Sequence, residues 1–139
     1  MNVLLDTQVL VWSLFKDKRL STDAAAWIND ADKAFVSVAS IYEIDFKRRD
    51  PGRLRAKDNL LQRMPANMPA NIPALGYILL PINADDVWRA ARLPIDHGDP
   101  WDRILLAQAM TRDLRLVSAD STLRCLADAH SKTRGIVVF

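Results

Sequence analysis

Short apolar runs alternate with helix-like segments along nearly the whole chain, and this alternation constrains the fold more than any other feature. Residues that favour a helix start, such as Ser21-Thr22-Asp23 and Asn83, stand between successive runs. A chain that repeats strand and helix builds a parallel sheet, because each helix carries the chain back across one face of the sheet. We therefore predict an α/β fold with helices on both faces of a mostly parallel sheet. The five predicted strands are residues 2–5, 34–37, 77–82, 115–118 and 136–139.

The size and charge of the chain fit a single domain over residues 1–139. Half of its 139 residues are hydrophobic, which is enough for one sizeable core. The 19 basic and 17 acidic residues give a net charge of +2, too small to argue for nucleic-acid binding by itself. Cys125 is the only cysteine, so no intramolecular disulfide can form. Since no apolar run approaches the roughly 20 residues of a membrane span, we expect a cytoplasmic protein without membrane contact.

The stretch from His97 to Met110 combines a helix start with two acids. Asp99 has the features of an N-cap, Pro100 suits the first helical position, and Asp102 falls in the first turn. Helix capping explains this pattern as well as a functional site does. We interpret His97 as a loop or cap residue, because the sequence gives little support to a Ser-His-Asp triad.

Asp6 and Asp120, like Asp102, stand at a strand end or helix start, where ligands bind in parallel sheets. Asp6 and Asp120 each follow a predicted strand, and Glu43, the only glutamate, lies in a predicted helix over residues 38–49. The carboxyl ends of parallel strands meet at one edge, so acids placed there can converge from distant parts of the chain. Converging carboxylates repel unless they hold a cation, and Mg²⁺ or Mn²⁺ suits oxygen ligands. Such an ion can activate water for phosphodiester hydrolysis.

Basic residues follow Glu43 and allow two interpretations. Lys47 stands four residues after Glu43, a spacing typical of an ion pair on a solvated helix face, which contributes about 0.2 to 0.5 kcal/mol. The stretch as a whole is either a solvated helix and turn or a rim that contacts phosphate groups. The residues considered for this contact are Lys47, Arg48, Arg49, Arg53 and Arg55.

Several other classes of site are absent from the sequence. With only four glycines, the chain has neither a G-x-G-x-x-G dinucleotide loop nor a G-x-x-x-x-G-K-[ST] phosphate loop. The nucleophile motif G-x-S-x-G is also missing. Gln8 stands where an Asp-x-Asp phosphatase would need its second acid, and a receiver domain would have paired acids after its first strand.

Residues 64–76 are unusually rich in proline. They contain Pro-Ala-Asn twice in tandem and a further proline, Pro73. Because proline lacks the N–H that an interior helical position donates, we predict that this segment interrupts any helix and forms a mobile loop.

Five groups of residues, spread over nearly the whole chain, together form a recognisable pattern. They are Leu4-Leu5-Asp6-Thr7, Ile41-Tyr42-Glu43-Ile44, Leu80-Pro81-Ile82, Leu93-Pro94 with His97 to Arg103 and Ala107-Gln108-Ala109, and Leu116 to Asp120. The most specific group is an Asp-Pro-aromatic-Asp-Arg motif followed by Ala-Gln-Ala. In their order and spacing these groups resemble the PIN domain family, and most closely the VapC-type toxins of bacterial toxin–antitoxin pairs.

This resemblance implies a three-layer α/β/α sandwich and a ribonuclease that depends on Mg²⁺ or Mn²⁺. The acidic positions of the family fall on Asp6, Glu43, Asp102 and Asp120, with Asp99 as an accessory acid. Metal-activated water would cleave the RNA, and the basic residues Lys47, Arg48, Arg49, Arg53 and Arg55 would hold it. The departures from the family pattern are Gln8, Asp45, Trp101 and Ala119, and none of them removes a catalytic carboxylate.

The resemblance also implies a partner, a cognate antitoxin, in a homodimer or a toxin–antitoxin hetero-oligomer. The two predicted N-terminal helices carry more large apolar side chains than their core-facing sides can bury. Trp12, Phe15 and Trp27 are among these side chains, so we expect them to line an exposed groove that binds the antitoxin. The other interpretation is that these side chains are buried in the core of the chain itself. The alternative function is a catalytically silent PIN-like module that binds RNA or protein, and the sequence does not reveal the RNA target.

Overall fold

Five short strands occupy the five predicted runs. The computed structural model describes residues 1–139 and shows one sheet in the order β3-β2-β1-β4-β5, in which every neighbouring pair is parallel. Leu4 on the central strand lies opposite Phe35 on one side and Leu116 on the other. The prediction of an α/β fold with a parallel sheet is confirmed. The strands are β1 Val3–Leu5, β2 Ala34–Ser37, β3 Ile78–Leu80, β4 Arg115–Val117 and β5 Val137–Val138.

Seven α-helices cover the two faces of this sheet. Side chains alternate across a strand, so Val3 and Leu5 of β1 enter one core cluster and Leu4 enters the other. The first cluster includes residues of α1 to α4, and the second includes residues of α5 to α7. The layers are therefore helix, sheet and helix, as predicted. The helices are α1 Thr7–Leu14, α2 Thr22–Asn29, α3 Val38–Arg48, α4 Met68–Ala74, α5 Ala84–Ala91, α6 Pro100–Thr111 and α7 Ser121–Asp128.

The proline-rich segment is not a loop, and the prediction made for residues 64–76 is wrong. Helix α4 begins after Asn67, whose side chain accepts a hydrogen bond from the N–H of Ala70 at 3.3 Å. Met68 and Ile72, one helical turn apart, are both buried in the first core cluster. Gly76 follows the end of the helix with a φ of +98°, which a residue without a Cβ adopts easily. Burial of this apolar pair stabilises a helix that the composition disfavours.

The helices are short, the longest being the 12 residues of α6. None of them is long and apolar enough to cross a membrane.

Candidate functional site

Six acids line one cavity of about 410 Å³ at the carboxyl edge of the sheet: Asp58, and five acids from four other segments. The path of the chain explains their convergence, since β1 and β4 are neighbours in the sheet and both end at this edge. One acid follows β1, one lies on α3, two belong to the start of α6 and one follows β4. They are Asp6, Glu43, Asp99, Asp102 and Asp120.

Three of these acids cap helices while they face the cavity. Asp6 accepts the N–H of Val9 at 2.8 Å, and Asp120 accepts the N–H of Leu123 at 3.0 Å. Asp99 accepts the N–H of Trp101 at 2.9 Å. The capping interpretation of Asp99 therefore describes its geometry correctly, and its accessory role at the site stays a prediction.

The surroundings of Asp6 oppose its ionisation. Burial, together with the nearby carboxylates of Asp102 and Glu43, raises the pKa of Asp6 to about 7, although hydrogen bonds from Ser118 and Val9 act in the opposite direction. Burial also raises the pKa of Asp102. A bound cation would stabilise the ionised carboxylates of Asp6 and Asp102, so this environment suits a cation.

The raised pKa of Asp6 predicts how the metal-free protein responds to pH. The carboxyl titrates near 3.8 when unfolded and near 7 when folded, so the folded state holds a proton that the unfolded state has released, and stability falls as pH rises between these values. Asp6→Asn does not titrate and caps equally well. Thermal melts in EDTA should show the variant gaining stability relative to wild type from pH 4 to pH 7, with no further gain above. A difference independent of pH would contradict this.

His97 lies beside two of the acids, which the sequence analysis did not predict. Its Nε2 is 2.8 Å from Oδ2 of Asp102 and 3.9 Å from Oδ2 of Asp120, and the imidazole is mostly buried. One donor atom from each of these three residues lies within 4.8 Å of the other two, close enough to hold a metal ion. His97 does occupy a loop, as interpreted, but the loop turns it towards the acids. Its place two residues before Asp99 was the available signal.

Glu43 lines the acidic cavity and also forms the predicted ion pair with Lys47. Lys47 donates to Oε2 of Glu43 at 3.2 Å, the expected pair at i, i+4. The other oxygen, Oε1, accepts the hydroxyl of Thr7 at 2.6 Å, so α1 and α3 are joined beside the cavity. Thr7 was not singled out from the sequence, because a threonine after a strand is a common helix-start residue.

The cavity is also lined by two lysines and by a further, buried carboxylate. Asp58 is almost fully buried, accepts the side-chain amide of Gln8 at 3.2 Å and lies 4.0 Å from Nζ of Lys47. Lys57 also lines the cavity. The two lysines place positive charge within reach of an anionic substrate.

The five residues predicted to contact RNA have different surroundings. Arg48 has its guanidinium occupied by Asp45 and by the backbone carbonyls of Met64 and Pro65, so it holds the chain before α4 in place. Arg49 pairs with Asp45 as well. Lys47 pairs with Glu43, and Arg53 pairs with Asp50 at 2.9 Å. Arg55 is exposed and forms no ion pair.

Arg103 fixes the loop that carries His97. Its guanidinium donates to the carbonyl oxygens of Ala90 at 3.0 Å, Leu93 at 2.8 Å, Ile95 at 2.8 Å and His97 at 3.1 Å. One planar side chain thus satisfies four carbonyls between α5 and α6. The arginine of the Asp-Pro-aromatic-Asp-Arg motif positions the site without lining it.

The three aromatic residues predicted to contact an antitoxin are partly buried. Trp12, Phe15 and Trp27 pack against the first core cluster, as the alternative interpretation expected. Trp12 also lines the acidic cavity, and Trp27 lines a second cavity of about 530 Å³ together with Phe139. The ring centres of Trp12 and Phe139 lie 6.3 Å apart, so a side chain that lines one cavity packs beside a side chain that lines the other. Contact with an antitoxin stays a prediction.

Comparison with known proteins gives one family match and two informative structures. The PIN domain family matches residues 3–129. A toxin–antitoxin complex from Klebsiella pneumoniae aligns with a TM-score of 0.60 and 20% identity, covering 99% of this chain and 96% of that chain. VapBC2 from Rickettsia felis, bound to a DNA fragment from its promoter, aligns with a TM-score of 0.64 and 12% identity, covering 99% and 98%. No curated protein matches the sequence.

These comparisons agree with the geometry described above. At 20% identity or less, the two structural likenesses establish the fold alone. The family match rests on sequence and spans most of the chain, from β1 to the end of α7. The chain therefore belongs to the PIN domain family.

Proposed function

We propose that this chain is a metal-dependent endoribonuclease toxin of the VapC type, held inactive by a cognate antitoxin. The observation that carries the proposal is the convergence of Asp6, Glu43, Asp102 and Asp120 on one cavity. Membership of the PIN domain family and the similarity to two toxin–antitoxin structures support it.

The donors in the cavity fit a divalent cation. Asp6, Glu43, Asp102 and Asp120 would hold Mg²⁺ or Mn²⁺ through carboxylate oxygens, with Asp99 at the periphery, and such oxygens are the ligands that these ions prefer. The raised pKa of Asp6 supports this fit, because a cation would stabilise the ionised carboxylate against the burial and the neighbouring negative charges that favour its protonation. When bound, the ion would lower the pKa of a water molecule and stabilise negative charge on a phosphoryl group.

The protein's own residues would orient the reacting groups. His97 holds the carboxylate of Asp102 through its 2.8 Å hydrogen bond, and Thr7 holds Glu43 through its 2.6 Å hydrogen bond. Lys47 and Lys57 would attract the phosphates of the RNA to the cavity. RNA is then held by its backbone beside the acids, a mode of contact that carries no base information.

Metal should be required both for cleavage and for an increase in stability. We expect millimolar Mn²⁺ or Mg²⁺ to raise the melting temperature of the wild-type chain, because a ligand that binds only the folded state stabilises it. Asp6→Asn should remove this shift. The same metals should permit cleavage of single-stranded RNA, measured on gels with a 5′-labelled oligonucleotide, and EDTA should prevent it.

The two readouts separate the possible failures. No metal-dependent shift in the wild-type chain would rule out a shared metal site. A clear shift without cleavage of any RNA tested would overturn the nuclease proposal and favour the catalytically silent binding module.

An antitoxin segment that covers the cavity should use the aromatic side chains beside it. The proposed track runs from Trp27 and Phe139 to Trp12, whose ring borders the acids. We expect Trp27→Ala or Trp12→Ala to weaken antitoxin binding at least about 5-fold, as truncated aromatic anchors at interfaces commonly do. Titration calorimetry with the protein encoded by a short neighbouring reading frame measures this effect.

The matched control is Trp88→Ala, which removes an exposed tryptophan from the opposite helical layer. Thermal melts must show that each variant is folded. Unchanged affinity in both folded variants would leave Trp12 and Trp27 with a role in the core alone.

A further inference from the structure

A row of aromatic rings lies on the surface next to the acidic cavity. Tyr42 and Phe46 stand one helical turn apart on α3, and their rings are stacked at 5.5 Å with an interplanar angle of 15°. The ring of Trp101 lies 5.2 Å from that of Tyr42, at the start of α6. The guanidinium of Arg53 lies 4.7 Å from the ring centre of Phe46. We call Trp101, Tyr42, Phe46 and Arg53 the aromatic row.

The row is exposed to a degree that folding alone does not explain. Tyr42 is 53% exposed and Phe46 is 45% exposed, and neither belongs to a core cluster. Large apolar side chains grouped on a surface mark a contact with another molecule more often than isolated ones do.

The row borders a groove that continues into the acidic cavity. This groove of about 620 Å³ shares five lining residues with the cavity, among them Glu43, Lys47 and Asp99. Its other lining residues include the whole aromatic row and Arg55, and none of them is a carboxylate. A strand held in the groove would therefore pass from aromatic rings and arginines directly to the acids.

From this arrangement we propose that the aromatic row is a binding subsite for the unstacked bases of single-stranded RNA, which leads the strand to the cavity. The proposal rests on the nuclease function proposed above and adds the residues that bind the bases beside the cavity. Unpaired bases stack on aromatic rings and on guanidinium planes, and arginines hold the phosphates between them. A duplex keeps its bases stacked inside and cannot use such a row.

Charge favours RNA over a protein segment as the occupant. Arg53 and Arg55 are both exposed, and the ion pair of Arg53 with Asp50 is open to solvent and weak. An apolar protein segment would offer these guanidinium groups no charged partner, whereas a phosphate backbone would.

The test is the binding of a labelled single strand in the absence of cleavage. Fluorescence anisotropy of the full chain with a 12-nucleotide mixed-sequence RNA, in EDTA, gives the affinity. We expect Phe46→Ala and Tyr42→Ala each to weaken binding about 10-fold, within the range measured for loss of one base–aromatic stack. Tyr42→Phe should bind like the wild type, because it keeps the ring. In a second strand that carries 2-aminopurine, stacking on the rings should quench the fluorescence of this base, and the quenching should be weaker in both alanine variants.

Trp88→Ala is the matched control. Trp88 is 62% exposed and lies under the guanidinium of Arg92 at 4.1 Å, the same arrangement as Phe46 under Arg53 but away from the groove. We expect its affinity to be unchanged. Binding of a 12-base-pair duplex should be weaker than that of the single strand and insensitive to Phe46→Ala.

Three results would overturn the proposal. They are wild-type affinity in both alanine variants, an equal loss for single strand and duplex, or a loss accompanied by a changed molar mass in light scattering, which would make the row a contact between copies of the chain. Binding through the row without metal-dependent cleavage would leave this inference standing and overturn the nuclease function. Cleavage with unaffected binding in both alanine variants would do the reverse.

Discussion

Asp102→Asn should reduce RNA cleavage by more than about 100-fold, since loss of an outer-shell partner alone typically costs 10- to 100-fold in metal affinity or activity. The side chain lies among Asp6, Asp120 and His97, where a cation would have to bind. Asparagine has the same shape but removes the charge, and burial already disfavours that charge. We therefore expect the variant to fold normally. Initial rates on a labelled single-stranded RNA in Mn²⁺ measure the loss.

Asp85→Asn provides the control for this change. Asp85 also lies in the first turn of a helix, α5, but it is exposed and pairs with Arg89 outside the acidic cavity. Its cleavage rate should match that of the wild type. A rate for Asp102→Asn within a few-fold of wild type, in a variant that melts normally, would remove Asp102 from the catalytic set.

Arg103→Ala should destabilise the fold by at least about 3 kcal/mol, because each buried carbonyl left without a partner costs about 1 to 3 kcal/mol. The substitution removes the donors for the carbonyls of Ala90, Leu93, Ile95 and His97 together. Urea unfolding monitored by circular dichroism gives the change in the free energy of unfolding.

Two further variants identify the cause of this loss. Arg103→Lys keeps the charge but not the planar set of donors, so we expect it to recover only part of the stability. Arg92→Ala removes an exposed arginine of the same loop, whose guanidinium lies over Trp88, and it should change stability little. A loss of less than about 1 kcal/mol for Arg103→Ala would mean that water replaces the guanidinium at these carbonyls.

Local pattern was sufficient for the strands and for the position of the acids along them. Each strand is a short apolar run, and the central strand β1 is buried along its whole length. Asp6 and Asp120 follow directly after strands that are neighbours in a parallel sheet, so their approach at its edge follows from the topology. The helix cap at Asp99 was likewise visible, because capping depends on residues a few positions apart.

Contacts between distant segments decided the rest. Helix α4 forms in a proline-rich segment because the core, built by other elements, buries Met68 and Ile72. His97 lies beside Asp102 and Asp120 because Arg103 holds the loop of His97 through hydrogen bonds to backbone carbonyls. Every residue has such a carbonyl, so the sequence does not show which of them an arginine will bind. The aromatic row joins α3, the start of α6 and the turn at Arg53, three segments that meet only when the sheet is complete. Residue type determines the local interactions of each side chain, but its neighbours from distant segments depend on packing that forms only on folding.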